Sequence, residues 1–73
     1  MKRGRPFKWR QFGRDLRRQR KTYGCSLREA GTDTGVNYST MGRAERGMAM
    51  DAPGFIRLCD WAELDPFDYQ RKK

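Results

Sequence analysis

Signals that stop a helix and signals that start one alternate along this chain too closely for any long element to form. Gly24, Gly35 and Gly47 each close a stretch with helical character, and Ser26, Asn37 and Asp51 follow them as N-caps. Glycine reaches the left-handed conformation that ends a helix, and a Ser, Asn or Asp side chain accepts from the unpaired N–H groups of the next one. Glu29 stands three residues after Ser26 and completes a capping box, and Pro53 sits in the first turn after Asp51. The spacing predicts a helix over about 9–23, a short one from Leu27 to Thr34, a third carrying residues 38–45 and a fourth from Asp51 onward. A fifth helical turn after Pro66 would bury Phe67 or Tyr69.

The apolar residues fall at helical intervals. Trp9, Phe12, Leu16 and Tyr23 share one face of the first segment. Met41 and Ala44 share another with Val36, and Phe55, Leu58, Cys59 and Ala62 form a stripe on the fourth. No strand alternation or repeat is present. The fold class implied is all-α, a compact bundle of four to five short helices. Residues 1–8 read as a flexible basic arm, 9–70 as the domain and 71–73 as a basic tail.

At 73 residues the chain makes one small domain, which buries only about 60% of its unfolded surface. That leaves little room for a substrate cleft with a catalytic shell. Histidine is absent, so Ser–His–Asp and Cys–His arrangements are impossible. A zinc site is not expected from Cys25 and Cys59 alone, which read as thiols packed as small apolar groups. The reading is a non-enzyme without metal, cofactor or small-molecule ligand. No apolar run approaches the roughly 20 residues that span a bilayer, and no signal-peptide h-region follows the basic start. The expected location is the cytoplasm.

Charge points to the partner. The net charge is +8, and residues 1–23 hold ten basic residues against one acid, Asp15. Residues 24–73 hold seven basic and eight acidic residues. Such asymmetry implies a polyanion met by one face. Nucleic acid fits, since Lys and Arg gain by displacing its condensed counterions; an anionic membrane surface is the competing polyanion.

Two short helices joined through Gly35 have the spacing of a helix-turn-helix. The run Ser26-Leu27-Arg28-Glu29, Thr34-Gly35-Val36, Ser39-Thr40-Met41 and Arg43-Ala44-Glu45-Arg46-Gly47 resembles the Cro/C1-type (XRE-type) helix-turn-helix regulators of phages and bacteria. The likeness extends over about residues 12–69. It implies a transcriptional regulator, in particular a repressor of phage or mobile-element type, that binds double-stranded DNA with its second motif helix, residues 38–46, in the major groove. Base reading then falls to Tyr38, Ser39 and Arg43. Arg43 suits guanine O6/N7 and Ser39 either donates or accepts. Tyr38 reaches a thymine methyl or a phosphate, or packs locally. Arg28, Thr40 and Arg46 are expected at phosphates. The resemblance also implies a structural pair between Arg20 and Glu45. Gly31 departs from the family's usual alanine, Ala44 from a larger apolar residue, and Gly42 shortens what would be a DNA-facing position.

Lys2-Arg3-Gly4-Arg5-Pro6 resembles the AT-hook core. Arg3, Gly4 and Arg5 either enter a narrow A/T minor groove or act as generic phosphate attraction. A symmetric dimer on two half-sites would use residues 48–70; a monomer aided by the arm is the other arrangement. Two further roles stay open: an excision or recombination accessory or DNA-bending factor, and an antitoxin or protein-interaction adaptor.

Overall fold

Local chemistry at each boundary accounts for where the helices begin and end. The computed structural model describes residues 7–70, in which α1 (Trp9–Tyr23), α2 (Leu27–Thr34), α3 (Tyr38–Glu45) and α4 (Ala52–Ala62) precede a terminal 3-10 turn (Pro66–Tyr69). The Ser26 hydroxyl accepts from Glu29 N–H at 3.1 Å while the Glu29 carboxylate accepts from Ser26 N–H at 2.8 Å. Asn37 and Asp51 cap α3 and α4 by accepting from Ser39 N–H and Gly54 N–H. Each cap satisfies a donor that the first helical turn leaves open. Gly24 and Gly35 end α1 and α2 in left-handed geometry, φ 74° and 78°.

The helices enclose one core built from Phe12 and Leu16 of α1, Ala30 of α2, Val36 of the turn, Met41 and Ala44 of α3, and Phe55, Leu58, Cys59 and Ala62 of α4. Tyr69 closes it from the terminal turn, 3% exposed. The small all-helical bundle expected from the periodicity is the fold observed.

Two placements differ from the expectation, and a third settles an alternative that it left open. The fold takes in Phe7 and Lys8, the inner end of the segment read as an arm over 1–8. Phe7 lies 4.5 Å from Trp9 and 5.1 Å from Phe55 between ring centroids, and Lys8 N–H donates to the Tyr69 carbonyl at 2.8 Å. Tyr23 leaves the buried face of α1; it is 41% exposed, meets the Trp61 ring edge-on and donates its hydroxyl to the Trp61 carbonyl. Of the two aromatics after Pro66, Tyr69 is the buried one, and Phe67 is 71% exposed. A 3-10 turn has three residues per turn, so Phe67 and Tyr69 point in different directions and only one can meet the core. Residues 1–6, with Arg3, Gly4 and Arg5, and the tail at 71–73 lie outside the described residues.

Candidate nucleic-acid interface

The turn Gly35-Val36-Asn37 sets how α3 leaves α2. Thr34, the last residue of α2, donates its hydroxyl back to the Ala30 carbonyl at 2.8 Å and accepts from Val36 N–H at 3.1 Å. Val36 is buried and anchors the turn from below. Gly31 makes the close approach possible: a methyl group there would lie 2.9 Å from the Val36 carbonyl oxygen. An alanine at this position would therefore push the turn outward.

Seated this way, α3 buries Met41 and Ala44 and turns Ser39, Arg43 and Arg46 outward. At about 100° per residue, Ser39 and Arg43 share one exposed stripe. Among the described residues, Arg43 and Arg46 have no carboxylate within ion-pair distance. Gly42 belongs to a different face from the one expected of it. It is buried under α2, with Leu27 Cδ1 3.7 Å from where its Cβ would stand, so it fits α3 against α2 and leaves the outer face untouched.

Tyr38 and Arg28 form a unit on the flank toward α2. The Arg28 guanidinium lies 4.3 Å above the Tyr38 ring centroid and its Nη2 donates to the Tyr38 hydroxyl at 3.2 Å. Both are exposed, so the contact is a surface cation–π pair worth about 0.5–1 kcal/mol. It holds the guanidinium beside the α3 N-terminus with most of its donors free. Thr40 lies half-buried on the opposite flank, in a cleft shared with Asn37, Asp51 and Arg57.

Comparison with family models, characterised proteins and solved structures finds no match to this chain.

Arg20 and Glu45 stand behind α3 and fix its angle. Arg20 Nε donates to Glu45 Oε2 at 2.6 Å and Nη2 to Oε1 at 3.1 Å, while Nη1 donates to the Cys25 carbonyl at 2.8 Å. The side chains are 13% and 7% exposed. Hydrogen bonding to Glu45 raises the Arg20 pKa further above its ordinary value. One guanidinium thus joins the end of α1, the loop before α2 and the end of α3. Gly13 of α1 lies against the same end of α3: a methyl group there would be 2.5 Å from the Ala44 carbonyl oxygen and 2.8 Å from that of Glu45.

The roles of Gly13, Thr34 and Arg57 escaped the sequence reading. A glycine inside an amphipathic helix costs about 1 kcal/mol against alanine, and that cost is itself a sign of a close approach. Thr34 before a helix-ending glycine is a residue type that closes turns through its hydroxyl. Arg57 carried no local signal, because only the packing of α4 brings it to the turn. Among the described residues no three His, Cys, Asp or Glu side chains gather as metal ligands would, and no helix is long and apolar enough to cross a membrane.

Proposed function

We propose that this chain is a sequence-specific double-stranded-DNA-binding regulator, acting as a repressor in the cytoplasm, with α3 as the helix that enters the major groove. The observation that carries the reading is the exposed stripe of α3. Its donors, Ser39 and Arg43, project from a short helix whose other faces are packed against α1 and α2. A helix held by its back and flanks, with partner-free polar groups in front, is suited to reading base edges. Arg28 and Arg46 supply phosphate contacts beside it, and the cations of α1 add sequence-independent attraction. Arg3, Gly4 and Arg5 would extend the contact into a flanking A/T minor groove.

Dimeric binding would go through residues 48–70, where Met48, Ile56 and Phe67 are 49%, 50% and 71% exposed. Covering them against a second copy would remove apolar surface from water.

Selection from a random duplex library, followed by salt titration of the enriched duplex and a scrambled control, tests the proposal. The expected result is an enriched motif bound at least roughly a thousandfold more tightly than the control. A palindromic motif identifies a dimer and an asymmetric one a monomer. Equal, steeply salt-dependent binding of both duplexes overturns sequence reading and leaves an architectural DNA binder, a role favoured by one observation, the concentration of cations on α1 rather than α3.

A further inference from the structure

A helix about 10–12 Å across fills a major groove about 12 Å wide, so its two flanks face the two phosphodiester strands. On α3 those flanks are marked by Tyr38 and Thr40, with Ser39 and Arg43 between them. The Tyr38 flank carries a cation, Arg28 of α2. The Thr40 flank carries one as well, delivered by α4. Arg57 is exposed, and its Nη1 reaches to within 3.4 Å of where a methyl group on Gly35 would stand. It lines the cleft that also holds Asn37 and Thr40. The two arginine-lined clefts therefore meet at the same turn, Gly35-Val36-Asn37.

Arg57 has no hydrogen-bond or ion-pair partner among the described residues. Asp51, the acid lining its cleft, accepts from Gly54 N–H as the cap of α4. The segment 24–47 itself brings no surplus of charge, since Arg28, Arg43 and Arg46 are matched in number by Glu29, Asp33 and Glu45. Arg57 adds a cation to the Thr40 flank from outside that segment.

We propose that Arg57, with the Thr40 hydroxyl beside it, is a phosphate-binding site for one strand of the duplex, opposite the strand met by Arg28. This rests on the reading of α3 as the groove-entering helix. The ligand is a backbone phosphodiester, so the site contributes affinity and register without sequence preference. A guanidinium suits it because its planar fork of donors matches two phosphate oxygens.

The test compares wild type, Arg57→Ala, Arg57→Lys and Arg28→Ala on the enriched and scrambled duplexes across a salt series. It is repeated on duplexes carrying single uncharged methylphosphonate linkages along either strand. Arg57→Ala is expected to bind both duplexes roughly tenfold more weakly, with the slope of log K against log salt reduced by about one. Arg57→Lys keeps the wild-type slope. The linkage that Arg57→Ala no longer senses lies on the strand opposite the one that Arg28→Ala no longer senses. An unchanged slope for Arg57→Ala, a loss confined to the enriched duplex, or both arginines mapping to one strand overturns the assignment. Failure of wild type to prefer any duplex would instead overturn the DNA-reading proposal beneath it, and the wild-type titration alone reports that. Melting curves of the variants, expected to match wild type for so exposed a residue, separate lost contact from lost fold.

Discussion

Gly13 carries a conflict between helix propensity and packing, and packing decides it. Alanine there would gain about 1 kcal/mol as the better helix former. Its methyl would stand 2.5 Å from the Ala44 carbonyl oxygen, and that atom belongs to backbone and cannot rotate away. Forcing extra volume into a packed site costs about 1–3 kcal/mol, occasionally more. Gly13→Ala is therefore expected to destabilise on balance, lowering the melting temperature by several degrees, since 1 kcal/mol moves a domain of this size by about 4–8 °C. A melting temperature equal to or above wild type would show that α1 and α3 separate without cost. The pair beside it behaves differently. Arg20 and Glu45 are nearly enclosed, and removing one partner of such a pair leaves the other buried and uncompensated, at about 3–5 kcal/mol. Arg20→Ala and Glu45→Ala should each be severe in denaturant unfolding, while the double variant costs clearly less than their sum. Strict additivity would mean that the two side chains act separately.

Among the elements, the terminal 3-10 turn is locked to α1 by one charged contact. The Tyr69 hydroxyl donates to Asp15 Oδ2 at 2.6 Å. Burial alone would raise the Asp15 pKa, but hydrogen bonds from Tyr69, Gln11 and Arg18, with the Arg18 charge, outweigh it and hold the carboxyl below its ordinary value. Burial raises the Tyr69 pKa, and Asp15 raises it further. A carboxylate with a lowered folded pKa stabilises the fold above its unfolded pKa, about 3.9, and loses that contribution as pH falls through the folded value. Thermal stability should decline below about pH 4, and Asp15→Asn should flatten that decline at the cost of stability at neutral pH. An acid limb unchanged by the substitution would assign it to other carboxylates.

The element boundaries could be laid out from the sequence because they rest on local chemistry: Ser26 with Glu29, Asn37, Asp51 and the closing glycines each act within one turn of the chain. What escaped depends on partners far along it. Phe7 gains its place from Trp9 and Phe55 and from the bond of Lys8 N–H to the Tyr69 carbonyl, and Tyr23 leaves the buried face to meet the Trp61 ring edge-on. The exposed stripe of Ser39 and Arg43 follows from helical spacing alone. Its flanks do not, since Arg57 is brought there by the packing of α4.

Over the whole molecule, the surplus of positive charge and the proposed reading surface are separated. The segment from Gly24 to Gly47 holds as many acids as bases, whereas α1 carries Arg10, Arg14, Arg17, Arg18, Arg20 and Lys21 against Asp15. Arg20 is committed to Glu45 and Arg18 to Asp15. Arg14, Arg17 and Lys21 remain exposed along one side of α1, facing away from the core. On the proposed function, long-range attraction for a polyanion would belong to α1 and the chain start, and discrimination to α3. Two variants should divide along that line. Arg14→Gln with Arg17→Gln and Lys21→Gln should weaken binding to every duplex alike and flatten the salt dependence, leaving the ratio of enriched to scrambled affinity intact. Arg43→Ala should do the reverse, with the ratio falling by about 1–3 kcal/mol and the salt slope changing by at most about one. Titrations of both variants on both duplexes read the two quantities independently. If the α1 triple variant erased the preference, or Arg43→Ala left it intact, attraction and discrimination would not be divided between these two helices.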